Sequence, residues 1–118
     1  MRSPLLVDYR FHPVGQGLFA SGHLTQMRTE VSSPDFSWVY DCGTTSSQDL
    51  INDSLMRLEN ALGGSRPILD LVIISHFDKD HISGISKLLG KFNVRTLVIP
   101  LVPLWQRLSL LFNTTRYV

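Results

Sequence analysis

Ser75-His76-Phe77-Asp78-Lys79-Asp80-His81-Ile82-Ser83-Gly84 is the stretch that decides how this chain is read. Four potential metal ligands, His76, Asp78, Asp80 and His81, fall within six consecutive residues. An apolar run, Ile68-Leu69-Asp70-Leu71-Val72-Ile73-Ile74, leads into them. Ile82, Ile85, Leu88 and Leu89 leave at helical spacing. The cluster is therefore predicted where a buried strand ends and a helix begins. In open α/β sheets, ligands bind outside the carboxyl ends of strands.

Imidazole and carboxylate are the nitrogen and oxygen donors that hold divalent metals. Alternate residues of an extended segment share a face, which predicts His76, Asp78 and Asp80 side by side. His81 follows on the first turn of the helix. Such a His-x-Asp-x-Asp-His segment can serve two adjacent metals with two ligands each. Two metals about 3.5–4 Å apart clamp the attacking and leaving oxygens of a hydrolysis. The plain alternative is a solvated turn in which Asp80 caps the helix. An EF-hand is excluded, because Ile82 stands where an oxygen ligand is needed and Gly84 comes one place late. The two flanking histidines, and the strand that delivers them, favour a metal site over a bare turn.

The stretch resembles the signature loop of the metallo-β-lactamase superfamily, which usually reads His-x-His-x-Asp-His followed by a small residue and Gly. Asp78 replaces the second His. That variant is similar to the branch found in the extracellular domain of bacterial DNA-uptake competence channels and in related stand-alone hydrolases. Val14-Gly15-Gln16-Gly17 and Tyr40-Asp41-Cys42-Gly43 add to the resemblance, since that branch has a Val-Gly-Gln-Gly turn and then an apolar strand ending in Asp-x-Gly. The likeness covers about Val7 to Pro100. It departs at Leu18, where the branch commonly has a polar residue.

The resemblance implies an α/β fold, a sandwich of two β-sheets with helices outside, of which residues 1–118 supply roughly the N-terminal half as a single partial domain. It implies two Zn2+ per complete site, with His76 and Asp78 on one and Asp80 and His81 on the other. The oxygen-rich donor set tolerates Mn2+ or Fe as well. Asp80 also orients the attacking hydroxide and is the catalytic candidate. Asp41, by resemblance, is a carboxylate that holds the metal loop; the alternative is a simple turn former. The Gln16 turn is expected beside the site. A phosphodiester, in nucleic acid or a nucleotide, is the implied substrate, rather than a β-lactam.

The family draws a further His, a bridging Asp and a final His from its second half, and no such residue follows Pro100. His12 and His23 come too early and read as surface or turn residues. The second reading is accordingly a catalytically incomplete fragment or an interaction module, completed by a missing C-terminal half or by another copy of itself.

Composition is consistent with one domain: 118 residues, 43% hydrophobic. Net charge is +1, from 11 basic and 10 acidic residues, so there is no electrostatic footprint for nucleic acid. The lone Cys42 fits a reducing compartment and reads as a small buried residue. No stretch reaches the about 18 apolar residues of a membrane span. The expectation is a cytoplasmic protein with no membrane partner.

Along the chain, Leu5 to His12 and Leu18 to Met27 read as strands around the Val14–Gly17 turn. Ser32-Ser33-Pro34-Asp35 marks a turn, and Phe36 to Tyr40 a third strand ending at Asp41-Cys42-Gly43. Ser46-x-x-Asp49 resembles a capping box opening a helix over residues 46 to 62, with Ile51, Leu55, Leu58 and Leu62 as its core stripe and Gly63-Gly64 as its stop. Ile68 to Ser75 reads as a strand buried on both faces. A helix from about Ile82 to Gly90 and a buried strand from Val94 to Pro100 complete a right-handed crossover unit. A last helix is predicted from about Pro103 to Phe112, with Trp105 and Phe112 packed inward.

Overall fold

Strand β1 (Leu5–Phe11) turns back into β2 (Gly17–Gln26) as an antiparallel hairpin, with Leu5 opposite Gln26 and Phe11 opposite Ala20. β3 (Phe36–Thr44) pairs antiparallel with β2. Helix α1 (Gln48–Leu62) then crosses to β4 (Ile68–Ile73), which lies parallel to β3. Two short helices, α2 (Lys79–Ile82) and α3 (Ile85–Lys91), lead to β5 (Asn93–Val98), parallel to β4. The mixed sheet runs in sequence order, β1-β2-β3-β4-β5. The computed structural model describes residues 4–27 and 34–101.

The α1 stripe forms as the periodicity requires: Ile51, Leu55, Leu58 and Leu62 are buried, with Ser54 beside them. They join Val14, Phe19, Val39, Cys42, Leu69, Val72, Leu88 and Phe92 in one core. Each large side chain buried this way contributes about 1.5–3 kcal/mol. Ser47, not Ser46, caps α1, its Oγ accepting from the Asp49 N–H at 3.2 Å. Ser46 is drawn elsewhere: its Oγ accepts from the Gln16 N–H at 3.0 Å and so fastens the hairpin turn to the end of β3. Gly15 sits at φ 77 in that turn, and a Cβ there would meet Ser46 Oγ at 2.5 Å. Gly63 ends α1 at φ 75.

Four sequence expectations change. β3 does not stop at Tyr40; it runs through Asp41-Cys42-Gly43 to Thr44. β4 is not buried throughout: Leu69 and Val72 are covered, but Ile68 is 45% exposed and Asp70, Leu71 and Ile73 are half-buried. β5 is largely exposed, because it forms the edge of the described sheet and the helices cover one face. The single helix expected from Ile82 to Gly90 is two, parted by a Ser83-Gly84 turn. The predicted helix from Pro103 to Phe112 lies outside the described residues, as do Ser32 and Ser33.

The other face of the sheet is apolar, and among the described residues no helix lies over it. The register aligns Phe11, Ala20, Tyr40 and Ile73 across four strands, and Tyr9, Gly22, Trp38 and Leu71 beside them. The Trp38 ring fills the space that a Gly22 side chain would need. Tyr9, Phe11, Leu18, Trp38 and Tyr40 line a shallow groove of about 300 Å³ there.

Candidate metal centre

The site begins with an irregularity in β3. Ala20 faces Tyr40 and Phe19 faces Cys42, so Asp41 is an extra residue, a β-bulge, with φ 58. A bulge re-aims a side chain out of the strand's alternation. Asp enters this left-handed region more readily than most residues, because its short polar side chain can bond locally. Here the Asp41 carboxylate is fully buried and meets the mouth of β4. Oδ1 accepts from the Ser75 N–H at 2.7 Å. Oδ2 accepts from Ser75 Oγ at 2.5 Å and lies 2.7 Å from His81 Nδ1. A buried carboxylate needs such partners, since burying a charge without them is costly. Asp41 is therefore no strand-end turn former: it lies inside the strand, and its bonds tie the loop after β4 to β3.

Beyond β4 the chain has no regular structure until Asp78, the residue that opens α2 at φ −72, ψ 149. The Asp78 side chain makes no capping bond. Its Oδ2 lies 3.5 Å from His76 Nε2. Asp80 lies inside α2, so it is not a cap either, and its Oδ2 stands 3.4 Å from His81 Nε2. The alternation expected to align His76, Asp78 and Asp80 thus ends at Asp78, because the helix starts there. The structure groups the donors as His76 with Asp78 and Asp80 with His81. The two imidazoles bring these pairs together, with ring centroids 3.7 Å apart and planes inclined at 45°.

Residues not singled out from the sequence hold this arrangement. Ser83 Oγ accepts from the Thr44 N–H at 2.8 Å and donates to Thr44 O at 3.0 Å. The Gly84 N–H donates to Cys42 O at 2.8 Å. These bonds stitch the end of α2 to the end of β3. A Cβ on Gly43 would come within 2.6 Å of the backbone of His81 and Ile82, so α2 can approach this closely only over glycine. The Gln16 turn is bonded to the same strand end: the Thr45 N–H donates to Gln16 O at 2.8 Å, and Thr44 Oγ1 to Val14 O at 2.5 Å. It reaches α2 through Thr44 and Ser83.

Does this donor set suit a divalent metal? Metal bonds of about 2.0–2.2 Å at tetrahedral angles place neighbouring donors about 3.3–3.6 Å apart. The 3.5 Å and 3.4 Å separations fall in that range. Nitrogen and carboxylate oxygen are the appropriate donor types. Each His–carboxylate pair is therefore of a type and spacing that a divalent metal accepts. Among the described residues, no group of three or more His, Cys, Asp or Glu is gathered to hold an ion.

His23 is not the surface or turn residue expected, since it is buried inside β2, while His12 lies in the loop between β1 and β2, half-buried rather than at the surface. They share the face of Phe19 on the hairpin. His12 Nε2 lies 2.7 Å from Ser21 Oγ and its ring stacks 4.2 Å from that of Phe19. Burial, aided by Arg10 and Arg57, pushes its pKa down to about 4. His23 is buried, with Nε2 3.6 Å from Asp8 Oδ2 and no hydrogen-bond partner at Nδ1. Cys42 is fully covered, and burial pushes its thiol up to about 12, which makes it an inert core residue.

A sequence profile of the Metallo-beta-lactamase superfamily matches residues 30–114, more than half of the chain. The chain belongs to this superfamily, and its five-stranded mixed sheet with flanking helices is consistent with part of that fold. Members of the family typically bind metals. Searches of curated proteins and of solved structures found no match. No helix among the described residues is long and apolar enough to cross a membrane.

Proposed function

We propose that the chain is the N-terminal half of a metal-dependent hydrolase domain, with His76 and Asp78 holding one metal and Asp80 and His81 the other. Zn2+ is the expected ion, two per complete site, with Mn2+ or Fe accepted by the oxygen-rich set. A bound pair of this kind supplies Lewis acidity and makes water a competent nucleophile near neutral pH. Asp80 orients that water, and Asp41 holds His81 in place. The observation that carries the reading is the sorting of four donors into two pairs at tetrahedral spacing.

A phosphodiester, in nucleic acid or a nucleotide, is the substrate class we infer. Its support is the likeness of Val14–Gly17, Asp41-Cys42-Gly43 and the His-x-Asp-x-Asp-His segment to the competence-channel branch. The apolar sheet face, uncovered among the described residues, supports the view of residues 1–118 as one partial domain, closed by a further half or by a second copy, because large exposed apolar patches mark association surfaces. The single cysteine supports a cytoplasmic setting.

One observation favours the second reading, a catalytically incomplete fragment or interaction module: each position has two donors among the described residues and no third. Hydrolysis of bis(p-nitrophenyl) phosphate with added Zn2+ or Mn2+ separates the two. Turnover that disappears in Asp80→Ala supports the hydrolase. Metal retained without turnover supports the incomplete module.

A further inference from the structure

We propose that Ser75 is a positioning residue that relays Asp41 to His76, so that one carboxylate sets the tautomer of both imidazoles. A serine hydroxyl has one hydrogen to give and two lone pairs to accept with. Ser75 Oγ lies 2.5 Å from Asp41 Oδ2 and 2.8 Å from His76 Nδ1. A carboxylate only accepts, so the hydroxyl hydrogen goes to Asp41. The contact with His76 then requires the hydrogen to sit on Nδ1 of the imidazole. His81 Nδ1 is 2.7 Å from Asp41 Oδ2 but 3.5 Å from Ser75 Oγ, so its hydrogen goes to the carboxylate directly.

Neutral imidazole carries one N–H. With Nδ1 protonated in both rings, each Nε2 presents a lone pair. Those Nε2 atoms are the ones beside Asp78 and Asp80. The backbone keeps the relay in register, since the Ser75 N–H donates to Asp41 Oδ1 at 2.7 Å and leaves the hydroxyl facing Oδ2. A free histidine favours the opposite tautomer, with hydrogen on Nε2, which cannot ligate through that atom. Partners that fix the tautomer of a ligating His typically change metal affinity 10–100-fold when removed. The consequence for metal binding rests on the metal-site reading above; the tautomer does not.

The test uses the 15N-labelled chain, stripped of metal, at pH 8, with long-range proton–nitrogen correlation spectra of the imidazoles. Expected is hydrogen on Nδ1 of both His76 and His81 in the wild type. In Ser75→Ala, His76 moves to the Nε2–H form while His81 stays as it was, and Ser75→Thr restores His76. A role in folding alone would disturb both rings together. His76 with hydrogen on Nε2 in the wild type, or no change in Ser75→Ala, overturns the proposal. Should Ser75→Ala fail to fold, the wild-type spectrum alone decides. Zinc titration of the same proteins then shows about a tenfold or greater loss of affinity in Ser75→Ala, recovered in Ser75→Thr. If the tautomers behave as expected but no form binds zinc, the relay stands and the metal-site reading falls.

Discussion

Oδ2 of Asp41 lies 2.7 Å from Nδ1 of His81, although the two residues are 40 positions apart in sequence. A bulge in β3 makes this contact possible, because the register skips Asp41 and turns its carboxylate toward the loop after β4. Strand irregularity, loop geometry and imidazole orientation are thus one linked arrangement.

Asp41→Asn should break the link without changing side-chain size. Its amide hydrogens would face the hydrogen on His81 Nδ1, or the Ser75 donors, in place of an acceptor. We expect metal affinity to fall about 10–100-fold and stability by about 1–3 kcal/mol. Calorimetric zinc titration and urea unfolding read the two effects separately. An affinity equal to wild type would mean that Asp41 serves folding alone.

Gly43→Ala tests the close approach of α2. The new methyl would lie 2.6 Å from the His81 carbonyl carbon and the Ile82 nitrogen, so the helix must shift. Overpacking of this kind costs about 1–3 kcal/mol. The signature is a lowered urea midpoint with displaced His76 and His81 resonances. Unmoved resonances would show that α2 does not rest on β3 as described.

Ser83→Ala removes one hydroxyl that accepts from the Thr44 N–H, donates to Thr44 O and accepts from Gln48 Nε2. Leaving the part-buried Thr44 groups without that partner costs about 1–3 kcal/mol. Amide hydrogen exchange at Thr44 should quicken more than at Val39, a core position remote from this bond. Equal exchange at the two would argue against the stitch.

Stability should depend on pH through His12. Its folded pKa, about 4, is below the ordinary 6.5, because burial and then Arg10 and Arg57 disfavour the charged ring. Between those values the unfolded chain binds more protons, so folding is favoured as pH rises. The contribution is fully present above 6.5 and is lost as pH falls toward about 4. His12→Gln should flatten the urea midpoint across that window relative to wild type. An unchanged slope would assign the pH dependence to other groups.

Much of this arrangement can be read from the sequence, for physical reasons. The Ile51, Leu55, Leu58, Leu62 stripe predicts α1 and its buried face, because period and burial coincide there. The apolar run ahead of them predicts that His76, Asp78, Asp80 and His81 lie just beyond the end of a strand, which is where they follow β4. The bulge at Asp41 cannot be read this way, since it appears only when two strands pair. Nor can the break at Ser83-Gly84, because Ile82, Ile85 and Leu88 keep helical spacing across it. Ser75 and Ser83 look like ordinary loop residues until β3 lies beside them. His23 misleads because neighbouring Gly22 suggests a turn, whereas it lies inside β2; His12 does follow β1 into the connecting loop, but its ring stacks on Phe19 instead of facing solvent.

The proposed function requires His76, Asp78, Asp80 and His81 to hold metal. The most direct measurement is elemental analysis of the 118-residue chain after dialysis against zinc, beside the Asp80→Ala/His81→Ala double variant. Zinc should bind to the wild type in clear excess over the variant. Equal zinc in both, with both proteins folded, would contradict it.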